Sequence, residues 1–165
     1  GRGSGGLRGM RLPDDGRIVS LITFAPECEA QEGLQVLTAT ENGYGKRTSI
    51  TEYTRHGRGT KGMIAIQQSE RNGKVVAATL VHADDEIMLI TDKGVLVRTR
   101  VSEIRELGRA TQGVTLIALD EGSQLSGLQR IVENDANMAD AETDGDAGAD
   151  GGATAAPEAP DSPDA

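Results

Sequence analysis

The sequence predicts an all-β chain: a partial, propeller-like array of four-stranded blades followed by a disordered acidic tail. Three repeated elements predict it. The first is VLTATENGYGKRTSITEY at 36–53, which lies 51 positions before IMLITDKGVLVRTRVSEI at 87–104 and aligns with it without a gap. Thr40 meets Thr91, Gly43 meets Gly94, Arg47 meets Arg98, Thr48 meets Thr99 and Glu52 meets Glu103. The second occurs three times, as RGSGGLRGM at 2–10, RGTKGMIAI at 58–66 and RATQGVTLI at 109–117. It aligns Arg2 with Arg58 and Arg109, Ser4 with Thr60 and Thr111, and Gly6 with Gly62 and Gly113. The third is a turn glycine leading into β-branched residues, DGRIVSL at 15–21 and NGKVVAA at 72–78, with EGSQLSG at 121–127 a poorer copy.

Each unit of about 50 residues reads as four short strands, the count of a propeller blade. In the second unit these fall near 62–68, 74–81, 86–91 and 95–101. Asn72-Gly73 and Lys93-Gly94 supply turns between them, as Asn42-Gly43 does in the first unit. Nothing in 1–132 sustains a helical period. The units are then a blade at 1–54, a blade at 55–105, an incomplete blade at 106–132 and a tail at 133–165. Repeat units bury their apolar faces on neighbours, and two and a half blades do not close a ring. The expectation is a C-terminal piece of a longer chain, its last unit completed by strands from elsewhere.

The net charge of −9 over 165 residues hides a division. Ten of the 26 acidic residues lie from Glu133 onward, where there is no Lys or Arg. Residues 1–132 therefore hold 16 acidic and 17 basic residues, a body near neutrality with an acidic appendage. That appendage, rich in Ala, Gly, Asp and Pro, has almost nothing to bury and reads as disordered. Cys28 stands alone, which excludes an internal disulfide and fits a reducing compartment. No apolar run approaches the roughly 18 residues of a membrane span, so no membrane partner is expected. Aromatics are limited to Phe24, Tyr44 and Tyr53, which argues against a stacking platform for single strands.

Several signals dissolve on inspection. GRGTKG at 57–62 matches the dinucleotide fingerprint, but a strand pattern follows it where a helix is required. Asp84-Asp85-Glu86 reads as an acidic turn, and His56 and His82 have no ligand spacing, so no metal site is expected. His56 lies among cations, within reach of any phosphate they would bind. Tyr44 aligns with Val95, which favours packing over exposure. No grouping of nucleophile, base or metal ligands suggests a catalytic residue or a cofactor held by this chain.

ENGYGKRT, ERNGKVV at 70–76, DKGVLVRTRVSEI and GRATQGV are similar to the C-terminal DNA-wrapping domain of the bacterial DNA gyrase A subunit. The resemblance covers residues 1 to about 132, and the acidic tail resembles the end of proteobacterial gyrase A subunits. It implies a β-pinwheel, a propeller relative whose blades exchange strands, with duplex DNA bent around a basic rim. It further implies a cytoplasmic, nucleoid-associated parent, a type II topoisomerase that introduces negative supercoils. That parent uses ATP and Mg bound elsewhere, and its partners are the gyrase B subunit plus a second A subunit. The basic box QRRGGKG of that family is missing here, GRGSGGLRG at 1–9 being a degenerate echo at most. The related domain of topoisomerase IV, with degenerate blades and no box, is the nearest alternative. A protein-interaction propeller is an alternative of another class.

On this reading the recurrent cations are the DNA-binding candidates. One zone follows each hairpin: Lys46 and Arg47, then Arg98 and Arg100. The other lies between blades: Arg2, then Arg55, Arg58 and Lys61, then Arg105 and Arg109. Cations recurring once per blade can track a duplex that carries about one charge per 1.7 Å. Ser4, Thr60 and Thr111 with nearby glycine amides can add phosphate bonds that read no sequence. The plain alternative is that surface cations merely solvate strands. The tail likewise reads as a solvating segment or as a polyanion competing with DNA for the rim.

Overall fold

The computed structural model describes residues 3–24 and 33–132, and there the sequence repeat reappears as geometry. Gly43 and Gly94 take φ of 78° and 81°, a left-handed conformation that side chains disfavour. These glycines reverse the chain between β1 (Gln35–Thr40) and β2 (Tyr44–Ser49), and between β4 (Glu86–Thr91) and β5 (Leu96–Arg100). The aligned threonines close both turns. Thr40 Oγ1 donates to Tyr44 O at 3.1 Å, and Thr91 Oγ1 accepts from Val95 N at 3.0 Å. Each hairpin ends in a short 3₁₀ turn, Ile50–Glu52 and Val101–Glu103.

Three further strands complete two antiparallel sheets: β3 (Val75–Val81), β6 (Val114–Thr115) and β7 (Leu125–Ile131). The first sheet runs β3-β1-β2-β6 and the second β5-β4-β7. Thus β3, which follows the NGK turn of the second repeat, pairs with β1 from Gln35↔Val81 to Thr40↔Val75. β7 meets β4 in the same way, from Glu86↔Ile131 to Thr91↔Leu125. Both ladders carry a register shift just before the terminal threonine, between Ala39 and Thr40 and between Ile90 and Thr91. The sheets therefore cross residues 54 and 105, where the sequence period changes unit.

This corrects the expectation of four consecutive strands in residues 62–101. No ladder forms over 62–68, and the stretch 74–81 joins the hairpin before it, not the one after it. The reason lies in the turn ahead of β3. The fully buried Asn72 side chain bonds Ser69 N, Gln67 O and Gln112 O. Glu41 N donates to Lys74 O at 2.9 Å while Glu41 Oε1 accepts from Lys74 N at 2.8 Å. That double tie delivers Val75 to Thr40. The first copy of the element behaves differently: residues 17–24 form no ladder, and Ser20 Oγ donates to Ala78 O.

β1 is buried along its whole length between β2 and β3. The core draws Leu37, Ala39 and Val81 from the first sheet, Ile87, Leu89 and Leu125 from the second, and Val101 and Ile104 from the connection. At roughly 25 cal/mol per Å² of apolar area, this shared core is the main force joining successive units. Among the described residues no helix is long and apolar enough to cross a membrane.

Candidate nucleic-acid interface

After β5 the chain turns back and lays residues 104–117 along β2. Arg47 sits in a short parallel register there, its N–H donating to Arg105 O at 3.3 Å and its carbonyl accepting from Leu107 N at 2.9 Å. The chain then loops out through GRATQG (108–113) and returns as β6, pairing Val114 with Gly45 and Thr115 with Tyr44. Gly113 makes this return possible at φ 81°, since a Cβ there would stand 2.7 Å from Gly45 O.

The loop is held from several sides. Thr48 Oγ1 donates to Leu107 O at 2.7 Å, and Lys46 Nζ donates to Arg109 O at 2.7 Å and to Gly108 O. Glu52 Oε2 accepts from Arg109 N at 3.0 Å. Gln67 N donates to Thr111 O, and Asn72 Nδ2 donates to Gln112 O. Thr111 Oγ1 is turned inward onto Gly108 O.

Lys46 and Arg47, expected as rim cations, are corrected by this arrangement. Lys46 is fully buried, the largest such side chain among the described residues. Burial pushes its pKa from 10.5 down to about 8, with Glu52 opposing the shift and Arg109 adding to it. Arg47 directs Nε to Ile104 O at 2.6 Å and Nη1 to Gln35 Oε1 at 3.0 Å, and Gln35 Nε2 in turn donates to Glu106. Both are bound inward, to the connecting segment.

The second zone is presented differently. Arg55, Arg58, Lys61 and Arg105 are exposed, and their side chains make no hydrogen bond or ion pair to any described residue. Arg109 is half-buried, giving Nη1 to Ile64 O at 3.1 Å, with Nε enclosed and unpaired. Arg98 and Arg100 point out from β5 but share Glu86: Arg98 is bonded to it directly, and Arg100 Nε lies 3.7 Å from its carboxylate. Arg2 lies outside the described residues, as do Cys28 and the acidic tail.

The sequence reading passed over a third group. Arg71 lies 4.7 Å above the Tyr44 ring and pulls the phenol pKa down. Lys74 is exposed one residue after the turn glycine, where Arg17 stands in the preceding copy. The alignment of DGR with NGK carried that signal. Lys93 instead reaches across to Glu121 O at 2.9 Å.

Among the described residues no three His, Cys, Asp or Glu side chains gather as a metal site. Asp85 caps His82 N at 2.8 Å and faces Arg130 at 3.4 Å, and Glu86 is held by Arg98 and Arg100, while Asp84 is exposed.

A family described as DNA gyrase C-terminal domain, beta-propeller, matches residues 1–25, 35–82 and 85–131. The DNA gyrase A subunit of Neisseria gonorrhoeae is 63% identical over 141 residues, covering 86% of this chain and 15% of that protein. That of Escherichia coli strain K12 is 52% identical over 128 residues, covering 78% and 14%. The chain thus spans about one seventh of these relatives' length. A solved DNA gyrase A C-terminal domain superposes with a TM-score of 0.57 at 29% identity, over 59% of this chain and 33% of that one. The C-terminal domain of a DNA topoisomerase IV gives 0.65 at 23% identity, over 76% and 38%, a likeness of fold alone.

Proposed function

This chain belongs to the family of DNA gyrase C-terminal β-propeller domains, and on that premise we propose that it binds and bends duplex DNA without sequence preference, as one segment of a gyrase A protein. The observation that carries the reading is the inter-blade zone. Arg55, Arg58, Lys61 and Arg105 stand exposed with no described partner, while every hairpin cation is paired or buried to some degree. Charges free of intramolecular partners can neutralise phosphates without first breaking a bond. The segment carrying Arg105 is anchored by Arg47, Thr48 and buried Lys46, which would hold its charge in place as the duplex curves.

The described surface offers bases no recognition element: no helix to enter a groove, and one cation stacked on one tyrosine. Specificity would come from the ease of bending. In the parent, the A and B subunits would supply strand passage, with ATP and Mg bound outside this chain, in the cytoplasm at the nucleoid. This segment would contribute only the curved track.

The test is titration of a linear duplex with residues 1–165 across a salt series, with ligase circularisation of the bound DNA reporting curvature. Binding should weaken linearly in log–log terms with a slope of roughly −3 to −5, as a handful of phosphate contacts requires. Folded protein that binds no duplex at low salt, or binds with no salt dependence, overturns the proposal and leaves a protein-interaction surface. The same titration of residues 1–132 reads the ten-carboxylate tail. Tighter binding without it, converging at high salt, makes the tail a competitor for the rim.

A further inference from the structure

Lys46 is buried, and no carboxylate of the described residues is bonded to it. Its ammonium directs two donors to the carbonyls of Gly108 and Arg109, the first residues of the 108–113 loop that joins the segment carrying Arg105 to β6. A buried cation with no bonded counter-ion is costly, so its retention needs a reason in what it holds. The next hairpin supplies the contrast. Val97 occupies the aligned position in β5, where it packs against the core, and among the described residues no strand pairs with that edge of β5. The lysine stands where a loop is held, and valine stands where the described residues place no such loop.

We infer that Lys46 is the positioning residue of the cationic loop: it touches no DNA, and by fixing the Gly108 and Arg109 carbonyls it sets where Arg105 and Arg109 meet the duplex. This rests on the reading of the inter-blade cations as phosphate contacts. The charged groups that act on it are Glu52, whose carboxylate takes Arg109 N, and the Arg109 guanidinium. Neither bonds the ammonium, so the two carbonyls are its hold on the loop.

The experiment compares residues 1–165 with K46M and K46R in amide exchange and in duplex titration. Methionine fills the volume without donors, leaving Arg109 O without this partner and Gly108 O with Thr111 Oγ1 alone. K46M should accelerate exchange over 108–113 roughly tenfold, leave β4 and β7 unchanged, and weaken duplex binding several-fold. K46R, which keeps the donors, should recover most of both. Unchanged exchange in K46M overturns the clamp, and faster exchange with intact affinity overturns its role in DNA contact. A wild-type chain that binds no duplex refutes the phosphate reading instead, and exchange still decides the clamp. Should K46M not fold, the wild-type side-chain nitrogens carry the test. On adding duplex, the Nε signals of Arg105 and Arg109 should move and Lys46 Nζ should stay. A Lys46 Nζ shift as large as theirs overturns the inference.

Discussion

The ammonium of Lys46 lies 2.7 Å from the carbonyl oxygen of Arg109, its neighbour across a loop 63 residues away in sequence. One cation is sealed beneath the other's backbone. Adjacent Arg47 is tied to the same segment through Ile104. The pair expected to face solvent together instead fastens one repeat to the next.

That burial predicts a pH dependence with a definite sign. Lys46 titrates near pH 8 in the fold and at its ordinary 10.5 when unfolded. Between these values the unfolded chain holds a proton the folded chain has released, so stability rises with pH. Urea unfolding of residues 1–165 should show a gain of as much as about 1 kcal/mol per pH unit from pH 8 to 9.5. K46M should abolish it. Tyr53, whose phenol burial pushes above 10, acts oppositely beyond that window. A flat profile in the wild type would show that Lys46 keeps its ordinary titration.

Arg47 and Arg105 test the division between structural cations and the proposed phosphate contacts. Arg47→Ala removes bonds to Ile104 O and Gln35 and should cost roughly 1–3 kcal/mol in urea unfolding. Arg105→Ala should leave stability within about 0.5 kcal/mol. In the duplex titration it should lower affinity uniformly across sequences and reduce the salt slope by about 1.

Gly45 and Leu96 occupy the same place in successive repeats with opposite demands. A Cβ at Gly45 would run into the side chain of Leu116, which follows β6, and into the carbonyl of Thr38 on β1. Leu96 is 60% exposed, and no described strand pairs with that edge of β5. Gly45→Leu should therefore strip β6 from the sheet and speed exchange across 113–117. Leu96→Gly should cost no more than about 1 kcal/mol, the usual penalty of glycine in a strand.

Asn72 anchors the turn that delivers β3. Asn72→Ala leaves Gln67 O, Gln112 O and Ser69 N without their buried partner and should cost roughly 2–3 kcal/mol by thermal unfolding. Fraying should centre on β3, visible as faster exchange from Val75 to Ala78. Uniform loss across both sheets would place the damage elsewhere.

The two hairpins were legible in the sequence because their information is local. Asn42-Gly43 and Lys93-Gly94 demand a reversal, and the flanking β-branched runs need one. Which hairpin receives 75–81 was not legible, since VVAATLV fits either neighbour and the choice rests on Asn72 and Glu41 reaching across the sequence. The cations divide on the same ground. Arg58 and Arg105 lie in connecting segments and stay exposed, as charge between strands suggests. Lys46 and Arg47 carry the same charge within a strand, and only the crossing of residues 104–115 over Gly45 determines that both turn inward. The Gly45-to-Leu96 difference hinted at that crossing. Without the strand order, it reads as ordinary drift between repeats.

The pairing of β3 with β1 across the repeat boundary has a mechanical side. A tension that tries to part the two units along the strand direction draws one strand lengthwise past another. It loads six residue pairs together, where a peeling pull would open them one at a time. The seam between repeats is thus strong in shear. A duplex strained around such an array would press against a backbone weave, and the array would yield at its outermost loops before its joints.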